Sequence, residues 1–439
     1  MPSSPPASPL PVAVLGAGLT GLSAALALER AGIRHRVFEK LPFAGGHAIT
    51  TLDEGFRFDR TGHLLHVRDP ALREEVAALL GGDVNEIERQ SVVWSNGVYT
   101  RYPFQANTFG LPPAVAYECL VGFVEAHFAR DKPEPRNFEE YCLRHFGEGI
   151  TRHFMVPYNS RLWGVSPKDI TSAWCQRFVP LPKLEDVIAG AVGHGARELG
   201  YNQRFLYPRL GIGELPKAMC RGLSTVELGK EPRRIDLRAR TIELDGERVP
   251  FGALVSSVPL PVLLELIDPL PEAVRAARAR LRATHLHYLD LALERPPKAE
   301  FHWAYVPEAR YPFYRVGSYT RFSSALAPPG KASLYVELAD RSEPELATLM
   351  PEVVRGLVEM GVLDGPSQVR FARARRIDYA YVIFDHAYYD ALRAIEPFLE
   401  AERIVSTGRY GRWTYSSMED ALVMGREGAA RAAGWIDTR

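Results

Sequence analysis

Pro11-Val-Ala-Val-Leu15, followed at once by Gly16-Ala-Gly18-Leu-Thr-Gly21, sets the frame for the whole chain. The apolar run is short and continuous, the pattern of a strand buried on both faces of a parallel sheet. Leu22 to Ala31 continues as a helix with small residues on one face, and Ile33 to Phe38 forms a second strand that ends at Glu39. Gly16 permits a tight turn, Gly18 admits a pyrophosphate to the backbone at the helix N-terminus, and Gly21 lets helix and strand pack closely. Glu39 stands where a carboxylate accepts hydrogen bonds from both ribose hydroxyls of an adenosine. A Gly-x-Gly-x-x-Gly run alone is weak evidence. Strand, helix, second strand and terminal acid at this spacing make it a dinucleotide-binding unit.

The remainder of the composition is that of an ordinary globular protein. A length of 439 residues suits two or three domains. Lys+Arg and Asp+Glu both count 53, so no overall field favours nucleic acid or an anionic membrane. No apolar run reaches the roughly 18 residues of a spanning helix. Met1 to Pro11 lacks the basic residues and apolar core of a secretion signal and reads as a short disordered tail. Cys119, Cys142, Cys175 and Cys220 show no Cys-x-x-Cys spacing, which points to reduced thiols in a cytoplasm and away from disulfides or zinc. His285, His287 and His302 fall near one another on strands without supporting carboxylates, so no metal site is expected. The many Ala, Arg and Gly residues fit a GC-rich bacterial genome.

The expected fold is α/β, with a Rossmann-like dinucleotide domain assembled from discontinuous segments, 9–84, 205–270 and 401–435. Within it, Arg234 to Val249 alternates like strands around an Asp245-Gly246 turn, and Ala253 to Ser257 reads as a strand. Residues 85–204 read as a mainly helical substrate or flap domain after one hairpin at Asn96-Gly97. Residues 271–400 read as a mixed α+β substrate domain with an antiparallel sheet, using strands at Tyr288 to Leu293, Phe301 to Tyr305 and Ser333 to Leu338 and a helix at Glu345 to Met360.

Past Glu39, the run Lys40-Leu-Pro-Phe-Ala-Gly45-Gly46-His-Ala-Ile-Thr50 resembles the acid, Gly-Gly and Thr extension of the flavoproteins that include amine oxidases, phytoene desaturases and protoporphyrinogen oxidases. Phe56-Arg-Phe58-Asp59-Arg-Thr-Gly62-His63 resembles the next strand and turn of that group, and Ile404-Val-Ser-Thr-Gly408-Arg409-Tyr410 its late strand and turn. The resemblance implies FAD, with Gly45 and Gly46 toward the flavin side, Gly62 and His63 beside the ring, and Arg409 in contact with it.

Aromatic and polar clusters follow in order: Arg101-Tyr102-Pro-Phe104-Gln105, Pro157-Tyr158-Asn159-Ser-Arg161-Leu-Trp163, Pro312-Phe313-Tyr314-Arg315, and Gly408-Arg-Tyr-Gly-Arg-Trp413-Thr-Tyr415. Taken singly, a tyrosine on a strand is usually core packing, and an arginine after aromatics is usually a stacked surface residue. Their order over residues 11 to 435 resembles the UDP-galactopyranose mutases, nearer the fungal and protozoan branch than the common bacterial one. That resemblance implies that Arg315 holds a substrate diphosphate and that Arg177 joins it from a mobile flap. It implies that Tyr381, Tyr415 and Tyr305 surround the diphosphate. Tyr102, Gln105, Phe154, Asn159 and Trp163 then form a uridine pocket, and Asn202 is a flap asparagine. Guanidinium forks suit a diphosphate, phenols add donors without charge, and an aromatic shelf suits uracil.

The implied activity is the interconversion of pyranose and furanose forms of a UDP-sugar, UDP-galactopyranose or a related one, with N5 of reduced FAD as covalent nucleophile. NADPH is a candidate reductant. The alternative is a redox flavoenzyme of the amine oxidase and desaturase group, and a third reading is a binding protein without turnover. The pattern departs from the family at His66, where an aromatic is expected, and after Tyr415, where a sugar-contacting asparagine has no match. The sugar, the nucleotide base and the oligomeric state stay open at this point.

Overall fold

The computed structural model describes residues 10–130, 132–175, 179–195 and 203–436. Its organising element is a five-stranded parallel sheet in the order Ile404–Ser406, Ala253–Ser256, Val12–Leu15, His35–Glu39, Val226–Leu228. Every residue of Val12–Leu15 and of Ala253–Ser256 is buried, as strands covered on both faces must be. Segments from the start, middle and end of the chain therefore share one sheet. Helix Leu19–Arg30 covers it, and the C-terminal helix Met418–Ile436 packs on that helix. The contact is close because Gly425 has no side chain: a Cβ there stands 2.3 Å from the Thr20 carbonyl oxygen. Ser23 Oγ donates to the Leu422 carbonyl at 2.6 Å across the same seam.

The stretch read as alternation from Arg234 to Val249 resolves into three strands, Pro232–Asp236, Thr241–Leu244 and Glu247–Pro250, joined by two turns. The extra turn is made by Asp236, whose carboxylate accepts the Arg238 and Ala239 N–H groups at 3.0 and 2.9 Å, and by Arg240 at φ +53°. Ile267–Asp268 completes this small sheet.

A seven-stranded sheet forms the other body, in the order Val369–Val382, Ala283–Leu293, Ala332–Leu338, Phe313–Ser318, Trp303–Tyr305, Ser91–Ser95, Val98–Arg101. All neighbours are antiparallel except Trp303–Tyr305 beside Ser91–Ser95. The hairpin turns at Asn96-Gly97, both at positive φ, the backbone that a tight two-residue turn requires. It extends the sheet of residues 283–382 although it lies in the stretch read as a helical insertion.

Helices Pro113–Phe128, Phe138–Ile150, Val156–Trp163 and Leu184–Ala191 stand between the hairpin and the return strand Arg204–Pro208. A π-helical turn, Thr151–Met155, feeds into Val156–Trp163, and Gly164 ends that helix in the left-handed conformation. No helix among the described residues is long and apolar enough to cross a membrane.

Candidate active site

The nucleotide turn is built for an anion. Helix Leu19–Arg30 has Gly18 as its N-cap with no side-chain cap, so its first N–H groups await an acceptor. Gly16 takes φ +91°, and at Gly21 a Cβ stands 1.8 Å from the Gly16 carbonyl oxygen. Glu39 braces the turn from the next strand: Oε2 accepts the Ala17 N–H at 2.8 Å and Oε1 the Leu41 N–H at 2.9 Å. Each oxygen keeps a second lone pair for a ribose hydroxyl. Gly45 N–H donates to the Ala17 carbonyl at 2.8 Å, and a Cβ on Gly46 stands 3.2 Å from Gly18 Cα. The three sequence-predicted pieces, Gly16 to Gly21, Glu39 and Gly45-Gly46, thus meet in one cradle.

Beyond the cradle lies the loop Arg60-Thr-Gly62-His63. Gly62 sits against Tyr335, whose hydroxyl is 2.5 Å from where a Cβ stands, and Thr61 is held at φ +65°. His63 is partly buried, and its Nδ1 is buried with no hydrogen-bond partner among the described residues. Burial, reinforced by the Arg409 charge, pushes the His63 imidazole down to about 4, so it is neutral at physiological pH. His47 behaves alike: burial, with Arg60 adding to it, pushes it to about 3. Arg60 Nη1 lies 3.2 Å from His47 Nδ1. Arg409 is fixed by donating to the Ser416 carbonyl at 2.8 Å and the Ala380 carbonyl at 3.2 Å. A neutral imidazole held by the Arg60 and Thr61 backbone and a fixed guanidinium, next to the cradle, fit the flavin end of FAD.

The loop rests on Asp59, which is fully buried. Its carboxyl accepts from Thr50 Oγ1 at 2.6 Å and Tyr207 OH at 2.5 Å. Tyr319 OH donates to the Asp59 carbonyl at 2.7 Å and lies 3.0 Å from Asp290 Oδ1.

The opposite wall comes from the large sheet and helix Val156–Trp163. Arg315 lies between Tyr305 and Glu337 as cross-strand neighbours. Its Nη2 donates to Glu337 Oε1 and, at 3.4 Å, meets the Tyr381 hydroxyl. Tyr381 and Tyr415 lie nearly parallel, 6.4 Å apart and 14° from coplanar, and the Arg409 guanidinium lies 4.5 Å from the Tyr415 ring centre. Trp163 meets Tyr381 edge-on at 5.5 Å. Burial raises the Tyr305 and Tyr381 phenols, so both stay protonated donors. A band of rings runs on from Tyr305: Tyr102 at 4.8 Å and Tyr158 at 5.2 Å touch it, and Phe154 stacks between Tyr158 at 5.3 Å and Phe104 at 4.9 Å.

The structure therefore brings Arg315, Tyr381, Tyr415, Arg409 and Trp163 into one group, and Tyr102, Phe154 and Tyr305 into the adjoining band. Gln105 and Asn159 are buried and spend their amide nitrogens internally, on the Pro180 and Met155 carbonyls at 3.0 and 2.7 Å. Arg177 and Asn202 lie outside the described residues. Sequence reasoning missed Glu337, although all seven residues of Ala332–Leu338 are buried. An acid in an otherwise buried strand is the signal, since such residues are interior only when paired. It also missed His47 and Asp59 as members of the site. His66, at the departure from the family pattern, turns away to the Arg204 carbonyl at 2.9 Å.

A solved structure of reduced UDP-galactopyranose mutase superposes on this chain with a TM-score of 0.91, covering 97% of this chain and 96% of that one at 28% identity. A lycopene-forming phytoene desaturase of Pantoea ananas is 29% identical over 157 residues, 34% of this chain and 29% of that protein. A 1-hydroxycarotenoid 3,4-desaturase of Flavobacterium sp. (strain P99-3) is 32% identical over 113 residues, 24% of this chain and 22% of that protein. The match to each desaturase thus spans under a third of its length, whereas the likeness to the mutase runs end to end. Residues 19–433 match the profile of the flavoproteins described as flavin containing amine oxidoreductases, nearly the full length over which the cradle, the loop and the facing sheet extend. On that match and this geometry, the chain belongs to the flavin containing amine oxidoreductase family.

Proposed function

We propose that this protein is a FAD-dependent mutase that interconverts the pyranose and furanose forms of a UDP-sugar, UDP-galactopyranose or a related one. The observation that carries the proposal is the group Arg315, Tyr381, Tyr415 and Arg409, a patch of guanidinium and phenol donors facing the His63 loop. The full-length likeness to a reduced UDP-galactopyranose mutase supports it. Reduced FAD, when bound, supplies a nucleophilic N5 for the anomeric carbon. Arg315 grips the diphosphate, with Arg177 closing on it from the flap, and Tyr381 and Tyr415 donate to its oxygens. Tyr102, Gln105, Phe154, Asn159 and Trp163 hold the uridine, Tyr305 joins the two ends, and Asn202 belongs to the flap. His63, neutral, lies beside the flavin without adding charge. Closure over the site excludes water, the competing nucleophile. NADPH is the proposed reductant and the cytoplasm the proposed compartment.

The test is a product assay: UDP-galactopyranose with dithionite or NADPH, separated by anion exchange. Conversion to UDP-galactofuranose only under reducing conditions is expected. A second reading, a redox flavoenzyme acting on an apolar substrate, is favoured by the two carotenoid desaturase relatives. Turnover of such a substrate by the oxidised protein, with no UDP binding, selects it instead.

A further inference from the structure

Two arginines beside the substrate wall spend their hydrogen bonds on backbone carbonyls, while Glu308 and Asp340 act on them through charge alone. Arg161, on the last turn of Val156–Trp163, reaches across to the segment that enters strand Phe313–Ser318. It donates through Nη1 to the Glu308 carbonyl, and through Nη2 to the Tyr311 carbonyl at 2.6 Å and the Phe313 carbonyl at 2.8 Å. Arg341 returns the contact from just past strand Ala332–Leu338. Its Nη2 donates to the Arg161 and Leu162 carbonyls at 2.7 and 2.8 Å, and its Nη1 to the Leu338 carbonyl at 3.1 Å.

The two bridges close a loop around the site. Helix Val156–Trp163 carries Asn159 and Trp163, strand Phe313–Ser318 carries Arg315, and strand Ala332–Leu338 carries Glu337. Arg161 binds the residues immediately before Arg315, and Arg341 binds the helix end immediately before Gly164. The acceptors are chemically apt. The last carbonyls of a helix lack partners inside it and favour a cation. A guanidinium, with five donors in a rigid fork, satisfies several carbonyls of one bend at once and holds them at fixed spacing. Both Nε atoms are buried, so neither side chain is a solvated surface arginine lying down by chance.

We infer that Arg161 and Arg341 are positioning residues that set the distance between the base pocket on helix Val156–Trp163 and the diphosphate arginine on strand Phe313–Ser318. The inference rests on the nucleotide-sugar reading. A ligand that spans both ends gains because its second end binds at high effective concentration, and that gain disappears when the spacing is wrong. A ligand that touches one end does not depend on the spacing.

The experiment is calorimetric titration of the FAD-loaded protein with UDP, with uridine and with inorganic pyrophosphate, for wild type, Arg161→Met, Arg161→Lys and Arg341→Met. Arg161→Met and Arg341→Met are expected to weaken UDP about tenfold or more while uridine and pyrophosphate change less than about threefold. Arg161→Lys, with fewer donors, falls between, and it stands in as the test if a methionine variant does not fold. UDP bound by the variants as tightly as by wild type overturns the positioning role. Pyrophosphate weakened as much as UDP overturns it too, because Arg161 then acts as a nearby charge. Failure of wild type itself to bind UDP overturns the nucleotide-sugar reading, and the spacing role falls with it.

Discussion

Arg315 and Glu337 face each other across neighbouring strands, and each keeps one buried polar atom, Nε and Oε2, that no other described residue satisfies. The pair is a charge balance with capacity to spare. A dianionic ligand can take the remaining guanidinium donors, and without a ligand Glu337 keeps the cation neutralised. Removing one partner of a buried pair leaves the other charge exposed to a poor solvent, at a cost of about 3–5 kcal/mol. Glu337→Gln is therefore expected to lower the melting temperature of the ligand-free protein, and UDP is expected to stabilise it more than it stabilises wild type. Thermal unfolding with and without UDP measures both, and an equal UDP shift in the two proteins contradicts the competition. Arg315→Ala is expected to abolish UDP binding and leave the flavin content unchanged.

Arg409 ties the turn after strand Ile404–Ser406 to Ala380 near the end of strand Val369–Val382 and to Ser416 just before helix Met418–Ile436. Arg409→Ala removes both bonds and the cation beside the proposed flavin site. Bound flavin per chain, read from its visible absorbance, is expected to fall, and Arg409→Lys is expected to recover only part because it lacks the fork. Full flavin occupancy in Arg409→Ala removes Arg409 from the cofactor site.

Gly21→Ala places a methyl group 1.8 Å from the Gly16 carbonyl oxygen, where backbone must move. A loss of about 2 kcal/mol or more is expected, together with loss of FAD, because the displaced turn is the proposed pyrophosphate seat. Gly434→Ala, inside helix Met418–Ile436, where an added Cβ meets no tertiary neighbour within 4 Å, is the control. It is expected to leave FAD binding unchanged and to raise stability by up to about 1 kcal/mol, the helix propensity gain of Ala over Gly.

Burial pushes the Asp59 carboxyl up to about 7 in spite of its three hydrogen-bond donors, and burial raises Asp290 to about 7 as well. An acid raised on folding contributes fully below its unfolded value, and the contribution is lost as pH rises through the folded one. The stability advantage of wild type over Asp59→Asn is thus expected to shrink between about pH 4 and pH 8, by roughly 2–4 kcal/mol. Denaturant unfolding at several pH values reads it. An advantage that grows with pH means that the carboxylate is held charged.

The nucleotide end was legible because its signals are local. A turn that needs Gly16, a helix that begins at once and an acid at the end of the next strand lie within about thirty residues. The facing wall was legible only through the order of its clusters, since no single one of Tyr102, Tyr305 or Tyr381 differs from a core tyrosine in composition. Asp59 and Glu337 were invisible for another reason. Their partners, Tyr207 and Arg315, lie 148 and 22 residues away; strand register brings Arg315 to Glu337, and packing between two separate sheets brings Tyr207 to Asp59. The hairpin at Asn96-Gly97 shows the same limit: its turn was readable, but the sheet it joins is decided by the parallel pairing of Ser91–Ser95 with Trp303–Tyr305.

The strand order 404, 253, 12, 35, 226 of the parallel sheet also sets a timetable. During synthesis the Gly16 turn leaves the ribosome early, yet the strand that leads to Arg409 and the helix that covers Thr20 arrive only after residue 400. At about 5–20 residues per second, that interval is on the order of tens of seconds. The nascent dinucleotide unit must wait through it beside the growing seven-stranded sheet, so its parallel sheet closes only after most of the intervening chain has been made.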